Sequence, residues 1–316
     1  MAPPAPVAQL RHSAAIAAHL PSAADSRDQK LLRQFAALFW SKSPESEQLG
    51  RSAEDDLLLS MDCYRRLNDR KPTEIEVSVD NPDLRRDGWS SDRTVIRVFA
   101  PDMPFVIDSL LMALTKAGQS TLFLNNVVFH ITRDRDGGIR SLEIDRQGRP
   151  ESGELVALVE VDRMDDAMLE TLRDQILDAL ADVRAAVNDF PAMRWRLLAG
   201  IERLEKQEST APVREAIDFL RWLADNHFTF LGYREFTYGD DTIQQVPGSA
   251  MGILHHTCWI WFTICHTFIR DDPYATRTFC WLRCASKLFF IAALGRMRLP
   301  GTGWFDSSSP GLCTPR

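Results

Sequence analysis

The residues best placed for chemistry lie in one short run, Asp102-Met103-Pro104, with Asp108 a turn further on. An acidic residue followed by an early proline marks a helix start. The free N–H groups and positive dipole end of such a helix can hold a carboxylate. Asp102, Met103, Pro104 and Asp108 are therefore candidate ligand-binding residues, with simple capping by Asp102 as the plainer use. Other chemistry finds little support. There is no G-x-G-x-x-G after a strand, no G-x-x-x-x-G-K-[ST], no H-E-x-x-H and no G-x-S-x-G, so no catalytic, cofactor-binding or metal-binding residues are expected. Cys258, Cys265, His266, Cys280 and Cys284 could be soft metal ligands, but they lack the closely paired cysteines of structural zinc sites. His130 reads as a half-exposed strand residue. His227 follows Asn226 at a helix end, where Asn can take a left-handed cap and a cation suits the dipole. The mixed charges of 133–149 (RDRDGGIRSLEIDRQGR) read as a solvated hairpin tip.

These residues need elements to carry them. Two helical stretches are expected at 26–42 and 51–68, closed by Lys71-Pro72. Ile75, Val77 and Val79 alternate with polar residues as in a half-buried strand, and 94–99 (TVIRVF) reads as a buried one. A helix follows the Asp102 loop with Ile107, Leu110, Leu111 and Leu114 on one face, stopping at Gly118. Further strands are expected at 127–132, at 139–144 after the Asp136-Gly137-Gly138 turn, and centrally at 155–161 (LVALVEV). Leu169, Leu172, Ile176, Leu180, Val183 and Val187 then form the seam of a helix over 166–188. The order is most of a βαββαβ ferredoxin-like pattern, an α+β class, whose closing strand is missing from its usual place. A new helix starts at Asp189-Phe190-Pro191 and runs to about Lys206. Another spans 212–226, and 228–236 (FTFLGYREF) opens an incomplete second β-containing domain whose segment 228–233 would be an unpaired apolar edge.

Composition narrows the partners. The chain has 44 acidic and 37 basic residues, a net charge of −7, without the basic face that nucleic acid requires. No apolar run is long enough to cross a bilayer, and the first twenty residues lack a basic signal region, so a cytoplasmic location is expected. The last 66 residues are a different material. They hold 5 of the 6 cysteines and 4 of the 8 tryptophans, with 7 bases against 3 acids and no Glu, Gln, Asn or Val.

Several segments together resemble one family. The run 97–118 (RVFAPDMPFVIDSLLMALTKAG) is similar to the opening of ACT domains, small regulatory βαββαβ modules that often bind amino acids, although Phe105 stands where these usually carry glycine in D-x-P-G. The segments DMPFVIDS (102–109), RDRDG (133–137), VEVDR (159–163), FLRWLADNHFTFLGYREF (219–236) and PGSAMGIL (247–254) resemble the N-terminal region of the large bacterial NAD-specific glutamate dehydrogenases. The resemblance implies an ACT-like regulatory and oligomerisation region, followed in the full-length family by a domain that converts L-glutamate, NAD and water to 2-oxoglutarate, ammonia and NADH. No catalytic residue of that domain maps onto this chain, so the expectation is a truncated chain, inactive alone, with NAD used only by the full-length family. The organisation expected is a disordered or weakly helical start (1–25), a helical segment (26–72), an ACT-like domain (73–188), a helical linker (189–226), the start of a second ACT-like domain (227–254) and a disordered, out-of-frame tail (255–316) produced by a frameshift. Two alternatives use the same residues differently. One is a freestanding module binding an amino-acid effector at the Asp102 loop. The other is an assembly segment that self-associates through the ACT-like domain, by a sheet edge or the 166–188 seam.

Overall fold

The computed structural model describes residues 27–43, 53–144, 153–206, 211–239, 242–255, 278–283 and 289–293. The chain divides into two compact units, 1–181 and 182–316.

The first unit is built on a five-stranded antiparallel sheet. Helices α1 (Arg27–Phe39) and α2 (Ala53–Asp69) precede β1 (Glu76–Asp80), a single turn α3 (Leu84–Asp87), β2 (Arg93–Pro101), α4 (Val106–Lys116), β3 (Thr121–Arg133), β4 (Ile139–Ile144), β5 (Gly153–Asp162) and α5 (Asp166–Glu205). The strand order is β1-β2-β5-β3-β4. This is the mixed helix and strand fold of an ACT-like domain, and it explains the strand that seemed to be missing. The place beside β2 that a closing strand would take is filled by β1, which pairs antiparallel with β2 from Glu76 opposite Phe99 to Asp80 opposite Val95. The strand comes before the βαβ unit in the chain, whereas the sequence pattern invites a search after it.

Both faces of the sheet are covered, which is why β2 and β5 are continuous apolar runs rather than alternating ones. On one face Val95, Phe99, Val127, Phe129, Val156 and Leu158 join a core with α1 and α2. Helix α1 contributes Leu31, Phe35, Ala36 and Phe39, one apolar stripe. Phe35 stacks on Phe39 at 5.3 Å and on Phe129 at 5.1 Å. Each such fully buried ring contributes on the order of 2–3 kcal/mol. Trp40 is buried as well, and its Nε1–H donates to Ser60 Oγ at 2.8 Å. Residues of the other parity, Ile96, Val98, Ala157, Val159 and Val161, are also fully buried, as are Leu110 and Leu114 of α4 and Leu172, Ile176 and Leu180 of α5.

Three local expectations are revised. Strand β3 is longer than 127–132, because residues 121–126 continue the β5 ladder. No new helix begins at Asp189: α5 is one 40-residue helix with Pro191 inside it. A proline in a helix interior forfeits one intrahelical bond, and the buried neighbours Met193, Leu197 and Ile201 carry the apolar stripe on past it. Arg133 is no part of a solvated tip, since its side chain is 10% exposed. The tip itself forms as expected: Asp134 Oδ1 accepts the N–H groups of Asp136 at 3.1 Å and Gly138 at 2.9 Å.

In the second unit α6 (Ala211–Trp222) leads to a π-helical turn, Leu223–His227. Asn226 takes the left-handed conformation at φ 59°, and His227 Nδ1 reaches Trp222 O at 3.1 Å, so the helix end is capped as the sequence indicates. Strand β6 (Gly232–Tyr233) pairs with β9 (Met251–Gly252). Strands β7 (Glu235–Gly239) and β8 (Thr242–Gln245) form a hairpin, joined by β10 (Thr278–Arg283) and β11 (Phe289–Ala293) in the order β11-β10-β7-β8. Two expectations change here. Phe230 and Tyr233 are each only 2% exposed and pack with Leu197, Ile201 and Leu220 rather than forming an open apolar edge. Strands β10 and β11 lie inside the tail expected to be disordered, in its aromatic and β-branched runs TFCWLR and FFIAA. Among the described residues no helix is long and apolar enough to cross a membrane.

Candidate functional site

The structure gathers Asp102, Met103, Pro104 and Asp108 around the N-terminus of α4. Asp102, Pro104 and Asp108 are exposed and Met103 is partly so. The Asp102 N–H donates to Gly153 O at 2.8 Å, extending the β2–β5 ladder by one bond. This close approach requires glycine: a Cβ on Gly153 would lie 2.8 Å from Asp102 Cβ and from Val128 Cγ1. The expected cap is corrected. The N-cap of α4 is Phe105, at φ 70° and ψ 4°, and no side chain caps the first turn. An aromatic residue in the left-handed region is a strained exception. It stands where the D-x-P-G pattern has glycine, so the backbone turn is kept although the residue suited to it is not. The far end of α4 uses glycine for the same geometry: Gly118 has φ 76°, and the Gln119 N–H donates to Leu114 O at 2.9 Å.

The more elaborate polar constructions lie on the α1/α2 face of the sheet. Glu154, 6% exposed, accepts from Arg70, which is 1% exposed, and from Arg133 through Nε at 3.0 Å and Nη2 at 2.9 Å. Arg133 also donates to the carbonyls of Leu67 at 2.7 Å and Asn68 at 3.1 Å, closing the C-terminal end of α2. Arg97 contacts Asp62 at 3.2 Å and Asp80 at 2.8 Å, while Arg66 spans Asp62 and Glu76. Burial opposes the charge on Asp62, yet Arg97 and then Arg66 outweigh it and hold the carboxyl below its ordinary value. Burial pushes the Cys63 thiol up to about 12, so it is no thiolate nucleophile. Arg93 meets Glu160 at 2.8 Å. These carboxylates are engaged by arginines, an arrangement that holds elements in register and leaves Glu154 and Asp62 unsuited to general-base work. Sequence reading passed over the set, although a signal was present: Arg97, Glu154 and Glu160 are charges inside or at the end of otherwise apolar strand runs.

In the second unit Asp189 Oδ2 accepts the Gly252 N–H at 2.6 Å and meets His255 Nε2 at 2.8 Å. A pocket between the end of α5 and α6 is lined by Leu204, Glu205, Arg214, Ile217, Asp218 and Arg221. Its rim charges answer one another, Arg221 to Glu205 at 2.5 Å and to Asp218 at 3.9 Å. Among the described residues no three His, Cys, Asp or Glu side chains come together as metal ligands. Of the cysteine–histidine set, Cys258, Cys265, His266 and Cys284 lie outside the described residues, and Cys280 falls within β10.

With this geometry in place, the chain can be set beside known proteins. Residues 35–176 match the family model described as the glutamate dehydrogenase ACT1 domain. NAD-specific glutamate dehydrogenases from Halomonas elongata and Pseudomonas aeruginosa are each 34% identical, over 229 and 212 residues, covering 69% and 66% of this chain. That of Mycobacterium tuberculosis is 30% identical over 168 residues, half of this chain. The matched stretches amount to only 14%, 13% and 10% of those relatives.

Proposed function

We propose that this chain, whose matched part is an N-terminal region of the NAD-specific glutamate dehydrogenase family carrying its ACT1 domain, serves as a regulatory and assembly region and does not itself oxidise glutamate. The observation that carries this reading is the match of residues 35–176 to the ACT1 model, which coincides with the five-stranded sheet and the helices packed on it. In the full-length family reaction NAD accepts a hydride as L-glutamate becomes 2-oxoglutarate and ammonia. The engagement of Glu154 and Asp62 by arginines and the burial of the Cys63 thiol support this reading. The chain's part is to present the ACT-like sheet, self-associate through it and hold whatever follows it. We read residues 255–316 as out-of-frame sequence, from their change in composition. Translating the other two frames beyond codon 254 tests this, and a frame that continues the family pattern is expected. Incubating the purified chain with L-glutamate and NAD should produce no NADH; steady turnover would overturn the main reading.

A second reading is favoured by the first turn of α4, where the N-cap residue Phe105 makes no side-chain cap hydrogen bond. An amino-acid effector would place its carboxylate there, beside Met103, Pro104 and Asp108. Titration calorimetry against the common amino acids should then show heat that changes with Asp102→Ala, and silence across the whole set would remove this reading.

A further inference from the structure

The geometry points to a stripe on the outward side of α5, Arg184, Asn188, Pro191, Trp195, Leu198 and Glu202, as the surface on which a second copy of this chain packs, helix antiparallel to helix. The inference goes beyond the self-association proposed for the sheet, since the stripe lies wholly in the second unit and does not need the sheet.

The six residues follow one another at intervals of 4, 3, 4, 3 and 4, the repeat by which one helix faces another along a continuous seam. All are exposed, Trp195 to 63% and Leu198 to 38%. The opposite stripe, Met193, Leu197, Ile201 and Leu204, is buried in the core of the second unit. Helix α5 therefore already has its core face. A tryptophan and a leucine one turn apart on the other side add apolar surface that the fold of one copy does not use.

The charges at the two ends of the stripe say what covers it. Arg184 and Glu202 enter no hydrogen bond or ion pair among the described residues. By contrast Arg194 donates to Ala224 O at 3.2 Å, and Arg196 contacts Glu235 at 3.3 Å. Laid antiparallel about a two-fold axis between Pro191 and Trp195, an identical stripe sets Arg184 against the second copy's Glu202, and Glu202 against its Arg184. Trp195 then meets the second copy's Pro191, and Leu198 its Asn188. Such an interface is isologous, with each contact made twice. A parallel arrangement would set like charge against like, so the charges also fix the orientation. A partner carrying one sign of charge would satisfy only one end. Ala185, Ala192 and Ala199 flank the stripe at seven-residue intervals, small enough for the two helices to approach within about 8–10 Å.

Sedimentation velocity on the full chain tests this, with Arg184→Glu, Glu202→Arg and the two combined. The unchanged chain should dimerise. Each single reversal sets like charges together at both ends and should raise the dissociation constant roughly tenfold. The combined variant restores opposite charges and should return it to within about threefold of the unchanged chain. Circular dichroism checks the fold, and Trp195→Ser, which removes the central contact without altering charge, should also weaken the dimer and substitutes if a reversal unfolds. A dimer indifferent to both reversals, or single losses that the combined variant does not repair, overturns the stripe while sparing self-association through the sheet. A chain that is monomeric at every concentration overturns both.

Discussion

The five-stranded sheet of the first unit and the two-residue ladder of β6 with β9 in the second are held in different ways. In the first, long ladders run between covered faces, and charges are admitted only in closed sets such as Arg70, Glu154 and Arg133. In the second, single side-chain contacts to backbone stand in for ladder length. Asp189 holds the Gly252 N–H, and Ser249 Oγ accepts the Glu235 N–H at 3.0 Å while donating to Val246 O at 2.7 Å. A long ladder spreads its stability over many residues. A short one concentrates it in a few, so damage should be global in the first unit and local in the second.

The largest effect should come from Glu154→Ala. It strands two buried guanidinium groups, and a loss of about 3–5 kcal/mol is expected in urea unfolding of the first unit. A loss within 1 kcal/mol would mean that Arg70 and Arg133 find other partners, and the contrast between the units would weaken. Next is Gly252→Ala. A Cβ there would lie 2.2 Å from Leu231 O, on a backbone at φ 59°. Roughly 2–4 kcal/mol should be lost, with faster amide exchange confined to residues near β6 and β9. Acceleration that spread into β2 and β5 would contradict the local character of that ladder.

Phe105→Gly tests the strained turn in the opposite sense. Relief of the left-handed aromatic should outweigh glycine's entropy and stabilise the first unit by about 1 kcal/mol, read as a raised melting temperature. Asp62→Asn should be the smallest change at neutral pH, below about 1 kcal/mol, since Arg97 keeps Asp80. Its signature lies in acid. The folded-state pKa of Asp62 is below the ordinary 3.8, so its contribution is fully present above that pH and is lost as pH falls through the lower folded value. The variant should therefore lose less stability than the parent on acidification below about pH 4.

Much of the first unit was legible because its elements carry strong local marks: alternation in β1, a continuous apolar run in β5, glycine at the end of α4 and an apolar seam from Leu169 to Val187 in α5. What escaped was decided by tertiary contact. The role of β1 as outer strand depends on pairing with β2, which no local pattern encodes. Pro191 looked like a helix start because proline suits a first turn, and only the buried stripe on both sides of it shows a single helix. At the loop, Asp102 had the residue type of a cap but sits three residues before the one that occupies the cap position. Arg133 was hidden by its charged neighbours, since nothing in RDRDG tells which arginine turns inward.

The pairing of β1 with β2 most directly carries the assignment of an ACT-like fold, and amide hydrogen exchange reads it residue by residue. The β1 amides bonded to β2 should exchange as slowly as those of β2 and β5, and all three strands should be released together by denaturant. Exchange of β1 at loop rates, with β2 and β5 still protected, would contradict the assignment and leave the sheet without its closing strand.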